Sequence, residues 1–369
     1  MTAPTTAGST SEGSPYDGPA RATYAGLDDR PRDAPPVDAL LLVSFGGPEG
    51  PADVLPFMEN VTRGRGIPRE RLEEVSRHYL DVFDGVSPIN QQARDLQAAL
   101  EGELAAHGPD LPVYWGNRNW HPYLTDVLAQ MRADGVQHAL EVVTSAFPSY
   151  SGCRQYREDV WRARAGEGPV VTKLRHYWDT DGFLDVMADG VARVQPSPAA
   201  RLLFTAHSIP TVMADTSGPD GGAYVAALRE AAARIVARLG GEREWELVFQ
   251  SRSGPPQVPW LEPDVGDRLA ELHAEGVREA VMVPLGFTSD HVEVLYDLDL
   301  QAQERVRDEL PGMVVTRAPT VGTDPRFVAQ LRRLVQERLD APDELADHGG
   351  VATHDRCPVR CCPPPPRRG

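Results

Sequence analysis

Apolar residues along this chain come in two alternating rhythms. Short continuous runs, closed by Gly, Pro or Asp, read as strands buried on both faces. Longer stretches with apolar residues three or four apart read as amphipathic helices. The first run is Asp38–Phe45, ending in Gly46-Gly47-Pro48. Helical spacing follows over Ala52–Val61, Arg69–Phe83 and Gln91–Ala106, then a strand at Val113–Gly116, a helix near Tyr123–Ala133 and a strand at Leu140–Ser145. Residues 147–159, FPSYSGCRQYRED, carry no assigned element. The alternation restarts with strand Thr172–Tyr177, helix Gly182–Val194, strand Leu202–Ala206, helix Gly222–Leu239 and strand Trp245–Gln250. A Pro-rich loop leads to helix Asp264–Glu275, strand Ala280–Pro284, an acidic helix, strand Met313–Thr316 and helix Pro325–Leu339. In that last helix Phe327, Leu331, Leu334, Val335 and Leu339 share one side. Two successive βαβα series predict an α/β protein with two open parallel sheets, helices lying on both faces of each. The expected division is a first α/β domain at residues 37–170 and a second at 171–341. Residues 1–36, rich in Thr, Ser, Gly, Pro and Ala, lack the large apolar residues that offset ordering entropy and are expected to be a disordered tail. Residues 342–369 form a Cys- and Pro-rich tail.

Charge narrows the partners. The chain carries 37 basic and 54 acidic residues, a net charge of −17. That field disfavours nucleic acid and anionic membrane surfaces. No apolar run approaches the roughly 20 residues of a membrane span, and the first residues show neither the basic nor the apolar region of a secretory signal. A cytoplasmic protein is the expectation.

Candidate chemistry is densest in VMVPLGFTSDHVEVLYDLD, residues 281–299. It predicts a strand, a turn through Gly286 and a helix capped by Thr288 or Ser289. Asp290, Glu293 and Asp297 stand at i, i+3 and i+7, sharing one stripe at 100° per residue, with Val292, Leu295 and Leu298 towards the other side. The plain alternative is a solvated acidic face. Against it, acids leading directly out of a strand and turn occupy the place where open α/β sheets put their sites. His207 closes a second run, RLLFTAHSIP at 201–210, at the carboxyl end of its strand. Alone it would be a hydrogen-bonded core histidine. Beside a carboxylate row, an imidazole can accept a proton or bind a metal ion, and the carboxylates can conduct protons or hydrated cations. Arg63 and Arg65 form a short basic loop, either solvated or a bidentate clamp for carboxylates. Ser87 can cap the following helix or donate to a ligand, and Tyr150 and Tyr156 offer flat bodies with polar tips, for core packing or for a large aromatic ligand. Cys153, Cys357, Cys361 and Cys362 are all the cysteines. Disulfides are not expected in the cytoplasm. Four thiolates suit a 2Fe–2S cluster or a structural zinc equally by count, although the C-x3-C-C spacing departs from the zinc-ribbon pair.

Six segments in order, LLLVSFGGPEG (40–50), ENVTRGRGIP (59–68), GVSPIN (85–90), TAHSIP (205–210), FQSRSGPPQVPWLEP (249–263) and PLGFTSDHVEVLYDLD (284–299), resemble the ferrochelatase family over residues 38–341. The resemblance is strongest to the bacterial coproporphyrin III branch that carries an iron–sulfur cluster. It implies two flavodoxin-like (Rossmann-like) halves and insertion of Fe2+ into coproporphyrin III, giving coproheme for haem b. Other outcomes it leaves open are a protoporphyrin IX enzyme, a different tetrapyrrole chelatase, and a non-enzymatic porphyrin carrier. It makes His207 and Glu293 the metal-site and proton-accepting pair, continues the acidic row with Asp290 and Asp297, and gives His291 a supporting place. It implies porphyrin contacts at Arg63, Arg65, Ser87 and Tyr156, the last fitting better than Tyr150. It implies a 2Fe–2S cluster on the four cysteines and transient contact with the neighbouring enzymes of the haem pathway. This chain departs from some relatives in having Gln301 where the acidic row would extend, and Phe45 where a tyrosine would ligate iron.

Overall fold

The computed structural model describes residues 34–64, 66–164, 166, 168–254, 257–340, 357 and 361–365. Arg65, nearly all of the expected N-terminal tail and most of the C-terminal tail lie outside the described residues.

Two four-stranded parallel sheets organise the chain. The first holds β1 (Ala39–Ser44), β2 (Val113–Asn117), β3 (His138–Val143) and β4 (Val170–Lys173) in the order β2-β1-β3-β4. The second holds β5 (Arg201–His207), β6 (Trp245–Gln250), β7 (Glu279–Val283) and β8 (Val314–Arg317) in the order β6-β5-β7-β8. The two orders are the same, so the halves are structural duplicates that no repeat in the sequence announces. All six residues of β1 are buried, as a parallel strand covered on both faces requires. Leu42 pairs with Trp115 on one side and Val142 on the other. Phe204 holds the matching place in the second sheet, between Leu247 and Val283.

Helices α1 (Pro51–Val61), α2 (Arg69–Phe83), α3 (Ile89–His107), α4 (Leu124–Ala133) and α5 (Gln155–Arg164) belong to the first half. They are followed by α6 (Asp181–Arg193), α7 (Thr211–Asp215), α8 (Ala223–Leu239), α9 (Val265–Ala274), α10 (Val292–Val294), α11 (Ala302–Glu309) and α12 (Pro325–Asp340). Asp264 caps α9, its carboxylate accepting from Gly266 N and Asp267 N. One core cluster spans both halves, with Leu42, Leu96 and Leu100 from the first and Phe204, Leu331 and Val335 from the second. In it α12 packs on α3 and α6. Arg332 pairs with Glu103 of α3 at 3.0 Å, and Arg338 donates to the Lys173 carbonyl at 2.7 Å.

Three expectations change. The strand expected over Thr172–Tyr177 stops at Lys173, because Arg175 turns into a buried cluster with Glu337 and Asp179. Residues 150–154 form a π-turn that runs into α5, for which the sequence showed no period. Helix α5 buries its charges by pairing them: Arg154 and Arg162 with Glu158, and Arg162 with Asp159. The acidic helix is not one regular helix. It starts at Val292 and winds as a π-helix over Leu295–Gln301 before continuing as α11.

Candidate functional site

Strand β5 lies between β6 and β7, and the connections from β5 and β7 leave towards opposite sides. Such a reversal opens a crevice at the carboxyl ends of the strands. His207 is the last residue of β5, level with Gln250 of β6. The chain leaving β7 passes close to it at Gly286, where an added Cβ would stand 2.7 Å from the Ala206 Cβ. Only a residue without a side chain lets the two strand ends converge here. The expected caps are used otherwise. Thr288 donates to the Thr144 carbonyl of the first half at 3.0 Å, and the His291 ring accepts the Glu293 N–H at 3.2 Å to start α10.

His207 Nε2 stands 3.8 Å from Glu293 Oε1. Asp297 joins the same side, its carboxylate accepting from the Ser251 hydroxyl and, at 3.4 Å, from Gln250. Wider π-winding replaces the 100° spacing between them. Asp290 lies before the helix and pairs with Arg317 at 3.0 Å, alongside Asp299 at 2.7 Å. The stripe read in the sequence is therefore divided: Glu293 and Asp297 face His207, and Asp290 belongs to an arginine cluster.

Burial pulls His207 towards the neutral form, but Glu293, the Ser208 carbonyl and Asp297 prevail and raise it above its ordinary range. Burial would raise Glu293, yet His207 and His291 hold it down at about 2. Asp297 goes the other way, to about 6, through burial and the Glu293 charge, against the Ser251 hydrogen bond. Two carboxyl groups on one helical segment are thus pushed apart, the usual mark of divided acid–base duties.

The facing wall comes from the first half. Tyr79 of α2 is pushed up by burial and by the charges of Glu293 and Asp297. His78 beside it stacks on Tyr296, 4.4 Å between ring centres. Phe57 is the hub of an aromatic wall, 6.4 Å from Phe45, 6.2 Å from Tyr79 and 6.0 Å from Trp120. Phe45 is 36% exposed at its edge.

The ferrochelatase family model matches residues 37–339. The chain belongs to the ferrochelatase family. It is 53% identical to the coproporphyrin III ferrochelatase of Streptomyces coelicolor, over 90% of this chain and 94% of that one. It is 52% identical to the coproporphyrin III ferrochelatase of Nocardia farcinica (89% and 97%) and 51% identical to the ferrochelatase of Rhodopirellula baltica (90% and 95%). Among solved structures, SirB from Bacillus subtilis with Fe3+ matches at TM-score 0.51 and 14% identity, over 83% of this chain and 97% of that one, which shows a shared fold.

Other residues singled out in this ferrochelatase sequence fall in distinct places. Arg63 is exposed, and its charge reaches Tyr123 beside the aromatic wall. Ser87 is buried under the Gly46-Gly47 turn: its hydroxyl accepts the Ile89 N–H at the limit of 3.5 Å, and a Cβ on Gly47 would meet it at 2.8 Å. Both tyrosines of residues 147–159 have low exposure. Tyr150 is buried and donates to Glu158 at 3.1 Å. Tyr156 is buried beneath the Arg118 guanidinium, 4.2 Å from its ring centre, and Arg118 is fixed by Asp159 at 2.7 Å. Sequence reasoning missed Phe57, Tyr79 and Trp120. The Phe-x-x-Asn run of α1 and the Trp after Arg-Asn offered only apolar residues, with no spacing to single them out.

Among the described residues no group of three or more His, Cys, Asp or Glu side chains is set to hold a metal ion. The cysteines are nevertheless neighbours. Cys153 interacts with Cys357 and Cys362, and Cys361 interacts with Cys357 and lies 3.9 Å from Cys362. They meet pair by pair around a ring. Their proximity and burial raise Cys153 to about 12 and Cys362 to about 11. Lys173 and Arg154 lie beside the ring, Arg154 donating to the Cys361 carbonyl at 3.4 Å.

Proposed function

We propose that the protein inserts ferrous iron into coproporphyrin III to give coproheme. The observation that carries this reading is the His207–Glu293 pair, 3.8 Å apart at the strand reversal, opposite an aromatic wall. The relatives named as coproporphyrin III ferrochelatases support the choice of porphyrin. The flat macrocycle lies against Phe45 and its neighbours, with residues 37–170 gripping it and residues 171–341 acting on it. Arg63, Arg65 and Ser87 are the proposed propionate contacts; four propionates on coproporphyrin demand more such contacts than two on protoporphyrin IX. Tyr150 is committed to Glu158, and Tyr156, under the Arg118 guanidinium that also covers Phe45, keeps its place among the proposed porphyrin contacts.

Insertion exchanges Fe2+ for two pyrrole protons. Glu293 stays ionised at neutral pH and draws the cation in. Glu293 favours a proton on His207. Fe2+ arriving at the pair would compete for Glu293 and release that proton to Asp297 and water, leaving the neutral imidazole to take one from a pyrrole. Asp297, near 6, exchanges protons with water close to neutrality. It lines a cavity of about 390 Å³ with Ser251, Gln301 and Arg305, a route for the two protons outward. Asp290 is held by Arg317 and supports the fold beside the site.

We propose the four cysteines, which interact in pairs, as the ligands of a 2Fe–2S cluster. Burial and mutual proximity favour their protonated form, and metal binding would release those protons. Lys173 and Arg154 would balance the cluster's negative charge. Anaerobic purification with visible and EPR spectra tests it: a zinc-loaded, colourless protein would replace the cluster with a structural zinc. The protein works in the cytoplasm and exchanges porphyrin by transient contact with the enzymes before and after it. No described helix is long and apolar enough to cross a membrane.

The decisive assay is anaerobic iron insertion with coproporphyrin III and protoporphyrin IX side by side. Preference for coproporphyrin III is expected. Preference for protoporphyrin IX would keep the enzyme and change its substrate, and tight porphyrin binding without insertion would make the protein a carrier.

A further inference from the structure

We infer that Tyr224 is a positioning residue for His207, and that it carries the state of the cysteine ring to the site where iron is inserted. The inference rests on the proposed part of His207 in that reaction. The connection is a short series of hydrogen bonds, buried from Cys362 to Tyr224 and part-buried at its last link, to His207. Cys362 Sγ accepts the Gly218 N–H at 3.1 Å, and the Cys362 N–H donates back to the Gly218 carbonyl at 3.3 Å. Gly218 has φ +79°, and a Cβ there would stand 2.4 Å from the Ala223 Cβ. The loop can therefore close in this form only with glycine. The preceding residue, Ser217, is fully buried; its hydroxyl donates to the Ala214 carbonyl at 2.6 Å and accepts the Tyr224 N–H at 2.7 Å. Tyr224, 6% exposed, donates its phenol hydrogen to the His207 carbonyl at 2.9 Å.

That carbonyl belongs to the peptide joining His207 to Ser208. The same peptide's N–H donates to the Gln250 carbonyl at 2.7 Å, and His207 Nδ1 bonds the next carbonyl, that of Ser208, at 2.5 Å. Rotation of this one peptide therefore moves the imidazole and its distance to Glu293. Tyr224 is its clamp, and the clamp's own base is the loop that Cys362 grips from the other side. Cys362 holds Gly218 by two bonds and, through Ser217, the start of α8. A metal held by the cysteines would fix Cys362 more firmly, and freeing Cys362 would slacken that end and let the His207 peptide turn. This gives a ligand set outside the cleft control over the rate of insertion without touching porphyrin.

The test is a double-mutant cycle of Tyr224→Phe and Cys362→Ala in the full chain. Tyr224→Phe keeps the ring in the core and removes one hydroxyl, so it folds. Two readouts are taken: kcat and porphyrin KM for iron insertion, and the His207 ring signals by NMR, which need no turnover. Each single change is expected to lower kcat about three- to tenfold, the reach of one hydrogen bond, with KM unchanged within about twofold. The double variant should fall no further than the slower single, and both singles should shift the His207 signals. Effects that multiply overturn the inference. So does a silent Tyr224→Phe, and so does a slowed Tyr224→Phe beside a silent Cys362→Ala, which would leave a clamp with no message. If Cys362→Ala does not fold, Ser217→Ala breaks the middle link with the same expectations. Absence of insertion by the wild-type chain would sink the proposed function alone, because the His207 signals still report the coupling.

Discussion

At the end of β1 the first half places Ser44, whose hydroxyl bonds Asn117 and accepts the Trp115 indole N–H at 2.9 Å. Asn117 continues to Asn90 at 3.0 Å, and Asn90 reaches the Gly47 carbonyl at 3.1 Å. At the equivalent end of β5 the second half places His207, with Glu293 and Asp297. The strand order around the two positions is the same, yet one reversal point is a neutral amide–hydroxyl lattice under aromatic rings and the other is a titratable triad. The duplicated scaffold repeats a place for a site and leaves its chemistry free. The neutral lattice cannot exchange protons with a ring lying on it, and the charged side offers little apolar surface to hold one. Each half supplies what the other lacks.

The sharpest way to break this division is to disable one side and look for damage on the other. His207→Ala should lower iron insertion by about 10²–10⁴-fold, the range of a general base, with porphyrin affinity within a few-fold by fluorescence quenching. Equal loss of binding would mean that the second half also grips the ring. Phe57→Ala should do the reverse. Its ring is 3% exposed, so truncation is expected to cost about 3–5 kcal/mol in denaturant unfolding. It should also raise porphyrin KM more than it lowers kcat; an unchanged KM would detach the aromatic wall from substrate.

Titration gives a finer cut. Asp297 is raised from 3.8 to about 6, so its contribution is fully present below about pH 4 and is lost as pH climbs through 6. Glu293 is lowered from 4.5 to about 2, so its contribution is present above 4.5 and is lost as pH falls through 2. Asp297→Asn should remove the fall in stability between pH 4 and 6, and Glu293→Gln should blunt the acid loss. Melting curves across pH 2–7 read both; one variant altering both limbs would show that the carboxyls titrate as a unit. The smallest effect expected is that of Asp290→Asn, less than about threefold on insertion, since that carboxylate serves Arg317. A loss as large as that of Asp297→Asn would return Asp290 to the iron path.

The sequence was readable where local pattern decides. Strand Trp245–Gln250 and helix Arg69–Phe83 have the limits their apolar runs suggest. His207 was legible because it stands where a strand runs out. The acidic row was only half legible: Arg317, 27 residues beyond Asp290, pulls it away, and no local spacing encodes that partner or the π-winding after it. Helix α5 was invisible because its residues are buried by charge pairing. QYREDVWRAR has no apolar period, yet Glu158 is fully buried. Tyr156 is buried in the same way, and the cation that covers it, Arg118, directly follows β2, about 40 residues earlier in the chain. The cysteines could be counted in the sequence but not arranged, because the chain between Cys153 and Cys357 had to fold first.

The packing of α12 on α3 and α6 has a consequence for synthesis. The last regular element among the described residues is a cover for one of the first. Until residues 325–340 leave the ribosome, the apolar face of α3 and the Lys173 carbonyl have no partner from α12. The first half can form its sheet during translation but cannot finish its core. A nascent chain halted before Pro325 should therefore stay bound to chaperones or aggregate, although its own strands and aromatic wall are complete.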